Sequence, residues 1–390
     1  MDAILIKLNG WPDSYNERVE ALSNELDTLS IVKPKNSDSS TEPNYVANGN
    51  CINIWPSRDP VLNPRWKIAF YPIWMIQAVF LVLIYILWND IDVIHVIDYP
   101  FAALVGRFVG FASGRPIILS IRSTGGLVTP DEAETSIVRI LLFPIFRRIN
   151  MFSIQGFNQY VSKSPHQVEY LSTEFGMDAS KVTAIPTGVD FDLFDPSNEH
   201  TTPSFLTDKL DNCSTVLVFL GSLLPEKGAH YLINNMGETA MNDVGAAIIG
   251  DYRDAQYVDD LEVQLSNHSL EEKIVLKPNR VPFADVPSII QFADGICLFS
   301  RDGIEGVPRI LQESVAMETP VIATNVRGIK EIFTNHDGCF LIEPDDTEAF
   351  ESAVRSVHNK DPDRENFREI IDMHENYRKY IDVYKSAQKS

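Results

Sequence analysis

Cysteine is scarce in this chain: four in 390 residues, at Cys51, Cys213, Cys297 and Cys339. They are scattered and form no Cys-x-x-Cys pair, which argues against a zinc ribbon or a disulfide scaffold. Cys297 falls in an apolar run and reads as a reduced core thiol, so a cytoplasmic chain is expected. Basic residues are also short, 33 against 54 acidic, for a formal charge of −21. Binding to nucleic acid needs basic patches to neutralise phosphates, so no nucleic-acid partner is expected. No Gly-x-Gly-x-x-Gly and no Walker loop occurs, which disfavours dinucleotide redox chemistry and phosphoryl transfer. The opening MDAILIKLNG has too short an apolar core for a signal peptide and reads as a first strand.

What is present suits two α/β domains. The length fits two domains of ordinary size, and 44% hydrophobic with 10% aromatic residues is ample for their cores. Ala3 to Lys7 reads as a strand ending at Asn9-Gly10, Tyr15 to Leu29 as a helix, 36–50 as a polar excursion, and Ile52 to Trp55 as a strand. Ile68 to Trp88 is long enough to cross a bilayer. It leads directly into the strand pattern Asp92 to Ile97, and a spanning helix would put its flanking strands on opposite sides of a membrane. The reading adopted is a helix packed in the N-terminal sheet layer with one face on a membrane surface. Ile137 to Phe146, followed by Arg147-Arg148, fits the same edge.

Further strands are expected at 116–121 and 181–186, with a helix from Phe101 to Phe111 and, after Gln159-Tyr-Val-Ser162, another through Phe175. The polar, Pro203-containing stretch 198–211 marks the domain boundary: 1–198 forms the first domain and 199–365 the second, and a long helix covers 366–390. In the second half, strands at 216–220, 246–249, 274–276 and 295–299 alternate with helices, which implies right-handed crossovers and a parallel sheet. Ligands of such sheets bind beyond the carboxyl ends of the strands, where Gly221, Gly250 and the stretch Ser300 to Glu305 all fall.

The most informative stretch runs from Asp302 to Glu331. A loop ending in Glu305-Gly306-Val307 enters a helix at Pro308, and Ile310, Leu311, Ser314 and Val315 give that helix one buried side. Thr319-Pro320 ends it, and Val321 to Thr324 reads as a buried strand. Free amides and the helix dipole make such a start an anion site suited to a diphosphate. Glu305 beside it and Glu313 eight residues on suit two polyols, one on each side of a phosphate, which is what a nucleotide-sugar presents. The same spacing also fits a capped amphipathic helix with two solvated glutamates, and spacing alone does not choose between them.

The ordered set of Ser162, Ile185-Pro-Thr-Gly188-Val-Asp190, Gly221-Ser-Leu with Lys227-Gly228, Gly250-Asp251, Ala293-Asp294 and Glu305-Gly-Val-Pro…Glu313…Pro320-Val resembles the family 4 retaining glycosyltransferases of the GT-B fold. The resemblance implies two Rossmann-like domains facing a central cleft, with the nucleotide-sugar mostly on the second. It implies that Glu305 holds sugar hydroxyls near the anomeric carbon, that Glu313 holds the ribose, and that the amides of Gly306 and Val307, before Pro308, meet sugar and phosphate. By the same resemblance Lys227 neutralises the leaving diphosphate, Gly221 and Ser222 belong to the donor loop, and the backbone at Val281 contacts the base. The acceptor is expected near Gly10, with Arg122 on a phosphate, and the last helix is expected to cross back to the first domain. No metal or other cofactor is expected.

The departures are specific. Ser222 stands where the family usually has Arg, Arg122 where a His is common, and Glu318 where Gly is common. Arg309 or Arg301 are candidates to replace the missing charge. The triplets Asp90/Asp92 and Asp190/Asp192 lie in turns and read as solvated, and His95 inside an apolar strand reads as a satisfied core histidine. The expected function is sugar transfer from a nucleotide-sugar to a hydroxyl of a glycan or lipid-linked acceptor at an inner membrane face. A non-catalytic GT-B partner subunit and a sugar-nucleotide epimerase are the alternatives.

Overall fold

The computed structural model describes residues 1–8, 14–36, 49–58, 64–121, 137–239, 241, 243–302 and 306–390, leaving aside the side chains of 14–17, 35–36, 55–58, 64–70, 137–144 and 146. Contacts divide the chain into two compact units, one of 1–186 with 374–390, the other of 187–373.

The first unit holds seven strands: β1 (Asp2–Ile6), β2 (Thr28–Asn36), β3 (Cys51–Arg58), β4 (Val93–Ile97), β5 (Ile117–Ser120), β6 (Gln159–Ser162) and β7 (Val182–Ala184). They form one sheet in the order β3-β2-β1-β4-β5-β6-β7, every pairing parallel. Parallel strands need crossover segments, and helices Pro64–Trp88, between β3 and β4, and Phe101–Ser113, between β4 and β5, supply two of them. Pro64–Trp88 does not stand apart from the sheet. Trp74, Ala78 and Val82 are buried in one cluster with Ile4, Ile94 and Val96. The Tyr85 hydroxyl lies 2.9 Å from Ser30 Oγ in β2.

Two sequence expectations change here. The first helix ends at Asn24, and β2 begins within the span read as helix and runs on through residues 30–35, for which no element was expected. Lys33 and Pro34 make β2 look like a loop, yet Lys33 is buried and Pro34 sits where β2 and β3 shift register. The apolar stretch from Ile137 also runs on as helix through Arg147-Arg148 to Ile154.

The second unit holds six strands: β8 (Thr215–Leu220), β9 (Val244–Ile249), β10 (Ile274–Lys277), β11 (Gly295–Leu298), β12 (Val321–Thr324) and β13 (Cys339–Ile342). Their order is β10-β9-β8-β11-β12-β13, again all parallel. The strand order reverses between β8 and β11, which is where open α/β sheets bind ligands. Cys297 in β11 is fully buried, and burial raises its thiol pKa well above the usual range. All four cysteines are free thiols.

Residues 187–198, given to the first domain by the sequence, make their contacts in the second unit. Val189 N–H donates to Ile371 O at 2.7 Å and Met373 N–H to Val189 O at 2.9 Å. A Cβ on Gly188, which has φ +76°, would lie 2.7 Å from Met373 Cα, so that turn needs glycine. The bridge between Val189 and Asp372 also breaks the long final helix into Arg364–Ile371 and Met373–Lys389. From His374 onward the chain packs with the first unit.

Candidate donor-binding site

The site is built from loops leaving β8, β9 and β11. Gly221 and Gly250 touch back to back: a Cβ on Gly250 would lie 1.7 Å from Gly221 O. The two loops are then laced together. Gly221 N–H donates to Ile249 O at 3.0 Å, and Leu223 N–H to Asp251 O at 2.7 Å. Ser222 Oγ donates to Asp251 Oδ1 at 2.8 Å. The serine at the family's arginine position therefore serves the loop and brings no charge.

After this loop the chain makes one 3-10 turn, Pro225–Lys227, and Gly228 opens the helix Ala229–Glu238 at φ +77°. A Cβ there would meet Phe299 O at 2.3 Å. Arg301 N–H donates to Glu226 O at 2.9 Å. Lys227 is thereby fixed, half-buried, beside the end of β11, at the point of strand reversal. The contact of Gly228 with Phe299 and the tie from Arg301 to Glu226 were not foreseen; the only sequence signal was a glycine after Lys227.

Beyond β11, Asp302 forks onto Arg327, with Oδ2 2.7 Å from Nη2, and Thr324 Oγ1 donates to Ser300 O at 2.6 Å. Glu305 lies outside the described residues, as do Gly10 and Arg122. Gly306 is half-buried and Val307 and Pro308 are buried. Pro308 is the N-cap and the helix runs from Arg309 to Ala316, one residue later than the sequence suggested. Its first turn leaves amides without intrahelical partners. Gln312, fully buried, donates from Nε2 to Val307 O at 3.1 Å and so fixes the peptide that precedes the helix. This residue also escaped sequence reasoning, since a glutamine four places after a proline carries no distinctive signal.

Glu313 is buried, 5% exposed, one turn into the helix and paired with Arg309, Nη2 to Oε1 at 2.8 Å. A carboxylate in that position is not a solvated surface group, which removes the plain amphipathic-helix reading of Glu313. Arg309 lies 5.1 Å from the centre of the Phe283 ring. Phe283 begins the turn after Val281, itself buried beyond the end of β10. The structure thus ties the Gly221–Ser222 loop to the loop after β9, the turn before Lys227 to the end of β11, and Arg309 to both Glu313 and the Phe283 ring, two residues after Val281. Arg309 is engaged by Glu313, so it does not stand in for the charge that Ser222 lacks.

The set-aside residues also resolve. Asp90 pairs with Arg115 at 3.1 Å, and Asp92 Oδ2 accepts from Asp2 N–H at 2.9 Å. Asp190 Oδ1 accepts from the N–H groups of Asp192 and Leu193 in a local turn. His95 is buried between Tyr384 OH at 2.7 Å and Ser120 Oγ at 2.8 Å, and burial pushes its pKa down to about 3. Among the described residues no three His, Cys, Asp or Glu side chains gather as a metal site.

Comparison with known proteins agrees with this architecture. The Glycosyltransferase Family 4 model matches residues 31–193, and the Glycosyl transferases group 1 model matches residues 208–372. The Escherichia coli UDP-Gal:alpha-D-GlcNAc-diphosphoundecaprenol alpha-1,3-galactosyltransferase is 23% identical over 68% of this chain and 66% of its own length. The Staphylococcus aureus capsular polysaccharide biosynthesis glycosyltransferase CapM is 24% identical over 68% of this chain and 67% of its own. The match therefore spans about two thirds of each of these relatives. Among solved structures, Anabaena HepE in complex with UDP and glucose superposes with a TM-score of 0.71 at 16% identity, covering 99% of this chain and 100% of that one. A Rickettsia africae glycosyltransferase gives 0.74 at 17% identity, covering 100% and 99%. Likeness at that identity speaks to the fold, two parallel-sheet α/β units of the GT-B kind. With one family model on each unit, this chain belongs to the family 4 glycosyltransferases, the glycosyl transferases group 1.

Proposed function

We propose that the chain moves a hexosyl group from a nucleoside diphosphate sugar to a hydroxyl of a lipid-linked or cell-surface glycan precursor, with retention at the anomeric carbon. What supports this reading is that Lys227 follows β8 while the Gly306–Val307 peptide and buried Glu313 follow β11, the two strands between which the order of the second sheet reverses. A diphosphate fits between a cation and the amide end of a helix, because both favour negative charge there. Glu313 suits the ribose hydroxyls, the backbone at Val281 the base, and Glu305 the transferred sugar. In the reaction the bond from the anomeric carbon to the diphosphate breaks, and a bond to the acceptor oxygen forms on the same face. The departing β-phosphate oxygen takes the acceptor proton. Lys227 and the helix amides hold the charge that develops, so the chemistry asks for no resident metal.

Gly10 and Arg122 are assigned to the acceptor, and the protein to the cytoplasmic face of a membrane. The names of the relatives support this: one acts on a diphosphoundecaprenol-linked sugar and another serves capsular polysaccharide synthesis. One observation favours a second reading, a non-catalytic partner subunit: Ser222 is bound to Asp251 where the family usually carries a charged residue.

A thermal-shift screen against nucleotide-sugars differing in base and sugar tests donor binding. At least one donor raises Tm in the wild type, and Glu313→Ala abolishes that shift. If no donor shifts Tm, the reading fails. If a donor binds without transfer or hydrolysis, the partner-subunit reading replaces it.

A further inference from the structure

Surface helices of a globular unit ordinarily turn a polar face outward. Three helices of the first unit turn large apolar side chains outward instead. Pro64–Trp88, Phe101–Ser113 and Ile137–Ile154 carry six basic residues, Arg65, Lys67, Arg107, Arg139, Arg147 and Arg148, and no acid, in a chain whose formal charge is −21. Their inner residues, among them Trp74, Ala78, Val82, Ala103, Val109 and Ile154, enter one core cluster, so all three lie on the same face of the sheet.

Their outer residues are apolar as well. Ile73, Ile76, Phe80, Ile84 and Leu87 recur at helical spacing along one stripe, with Ile76 71%, Phe80 65% and Leu87 81% exposed. Phe108 and Phe111 continue the stripe on the next helix, and Ile145, Ile149 and Phe152 on the third. Of the thirteen large hydrophobic residues exposed among the described residues, all but Tyr252 and Val263 lie on these three helices. Arg107 links two of them, its guanidinium 4.4 Å over the Phe152 ring and hydrogen-bonded to Phe152 O. Arg147 and Arg148 are exposed between Ile145 and Ile149.

An apolar patch of this extent marks an interaction site, and its charge names the partner. We propose that these three helices form a monotopic docking face that lies in the headgroup–acyl boundary of an anionic bilayer. Apolar stripes enter the acyl region while the arginines meet lipid phosphates, the arrangement of interfacial helices. Pro64–Trp88 is long and apolar enough to cross a membrane. Its buried Trp74–Ala78–Val82 face, shared with strands on both sides of it in the chain, holds it on the sheet instead. The inference deepens the proposed function by supplying the surface on which a lipid-linked acceptor is met, and it rests on that reading only for the acceptor.

Flotation of the full chain with phosphatidylcholine vesicles, and with vesicles containing about one third phosphatidylglycerol, tests it. The protein floats with the anionic vesicles, less with the neutral ones, and less again at high salt. Phe80→Glu with Phe111→Glu lowers partitioning at least about tenfold, and Arg147→Glu with Arg148→Glu removes the preference for anionic lipid by about the same factor. All four side chains are exposed, so Tm stays unchanged and a loss of binding is not a loss of fold. Failure to float with either vesicle overturns the proposal, as does equal flotation of wild type and variants. A stable dimer in solution that these substitutions dissolve also overturns it, since the face would then be covered by a second copy. The donor screen needs no vesicles, so failure here leaves the donor reading standing.

Discussion

The two units share one plan and differ in what they turn outward. Each is a fully parallel sheet whose strand order reverses beside its first strand, at β1/β4 in one and β8/β11 in the other. In the second unit the helix Ala255–Asn267 buries Tyr257, Val258, Leu261 and Leu265 and exposes Asp259, Asp260 and Glu262, the alternation expected of a solvated surface. In the first, Pro64–Trp88 buries Trp74, Ala78 and Val82 and exposes isoleucine, phenylalanine and leucine. Strand topology sets where a ligand can bind; helix faces set what the rest of the surface can touch. The second unit concentrates its precision at the strand-reversal edge, while the first spreads an apolar, basic face over three helices.

The sharpest way to break the second unit is at that edge. Gly250→Ala places a Cβ 1.7 Å from Gly221 O, backbone against backbone, with no flexible side chain to move aside. We expect a loss of about 3 kcal/mol or more, read by denaturant unfolding, together with loss of the donor-induced Tm shift.

The first unit answers to pH through His95. Its pKa falls from 6.5 to about 3 on folding, so below 6.5 the unfolded chain binds the extra proton and the folded chain does not. Stability contributed by the neutral ring is present above pH 6.5 and is lost as pH falls toward 3. Between pH 6.5 and 5 the wild type loses about 1.5 kcal/mol from this group, and His95→Gln flattens that slope in denaturant midpoints measured across pH.

A smaller gain is available at Glu318. It follows the Arg309–Ala316 helix at φ +58°, a conformation that favours glycine, and Glu318 N–H donates to Val315 O at 3.2 Å. Glu318→Gly should raise stability by about 0.5–1 kcal/mol without changing donor affinity. The smallest effect is expected on the docking face. Phe111→Lys, at a side chain 91% exposed, should leave stability within about 0.5 kcal/mol of wild type while weakening vesicle flotation.

Much of this was legible from residue order. The alternation of apolar runs and turn residues located most strands, because a parallel strand buried on both faces reads as an unbroken run. Val321 to Thr324 is found as expected, and Gly221 and Gly250 stand at strand ends as expected. Local pattern was no guide where tertiary context overrode it. Lys33 and Pro34 hide β2, and the short β13 and the helix Ser204–Leu210 lie in stretches that read as polar or unremarked. For the candidate site, residue order offers positions but no partners. Sequence gives Ser222 and Arg309 their places; only the fold shows that Ser222 is bound to Asp251 and Arg309 to Glu313.

The central claim is that Lys227, in the turn that follows β8, stabilises charge on a departing nucleoside diphosphate. Its most direct test is the rate of diphosphate release from whichever nucleotide-sugar raises Tm most, in wild type and in Lys227→Ala. The account predicts a fall of about a hundredfold or more with an unchanged Tm. A variant that releases product at the wild-type rate contradicts it.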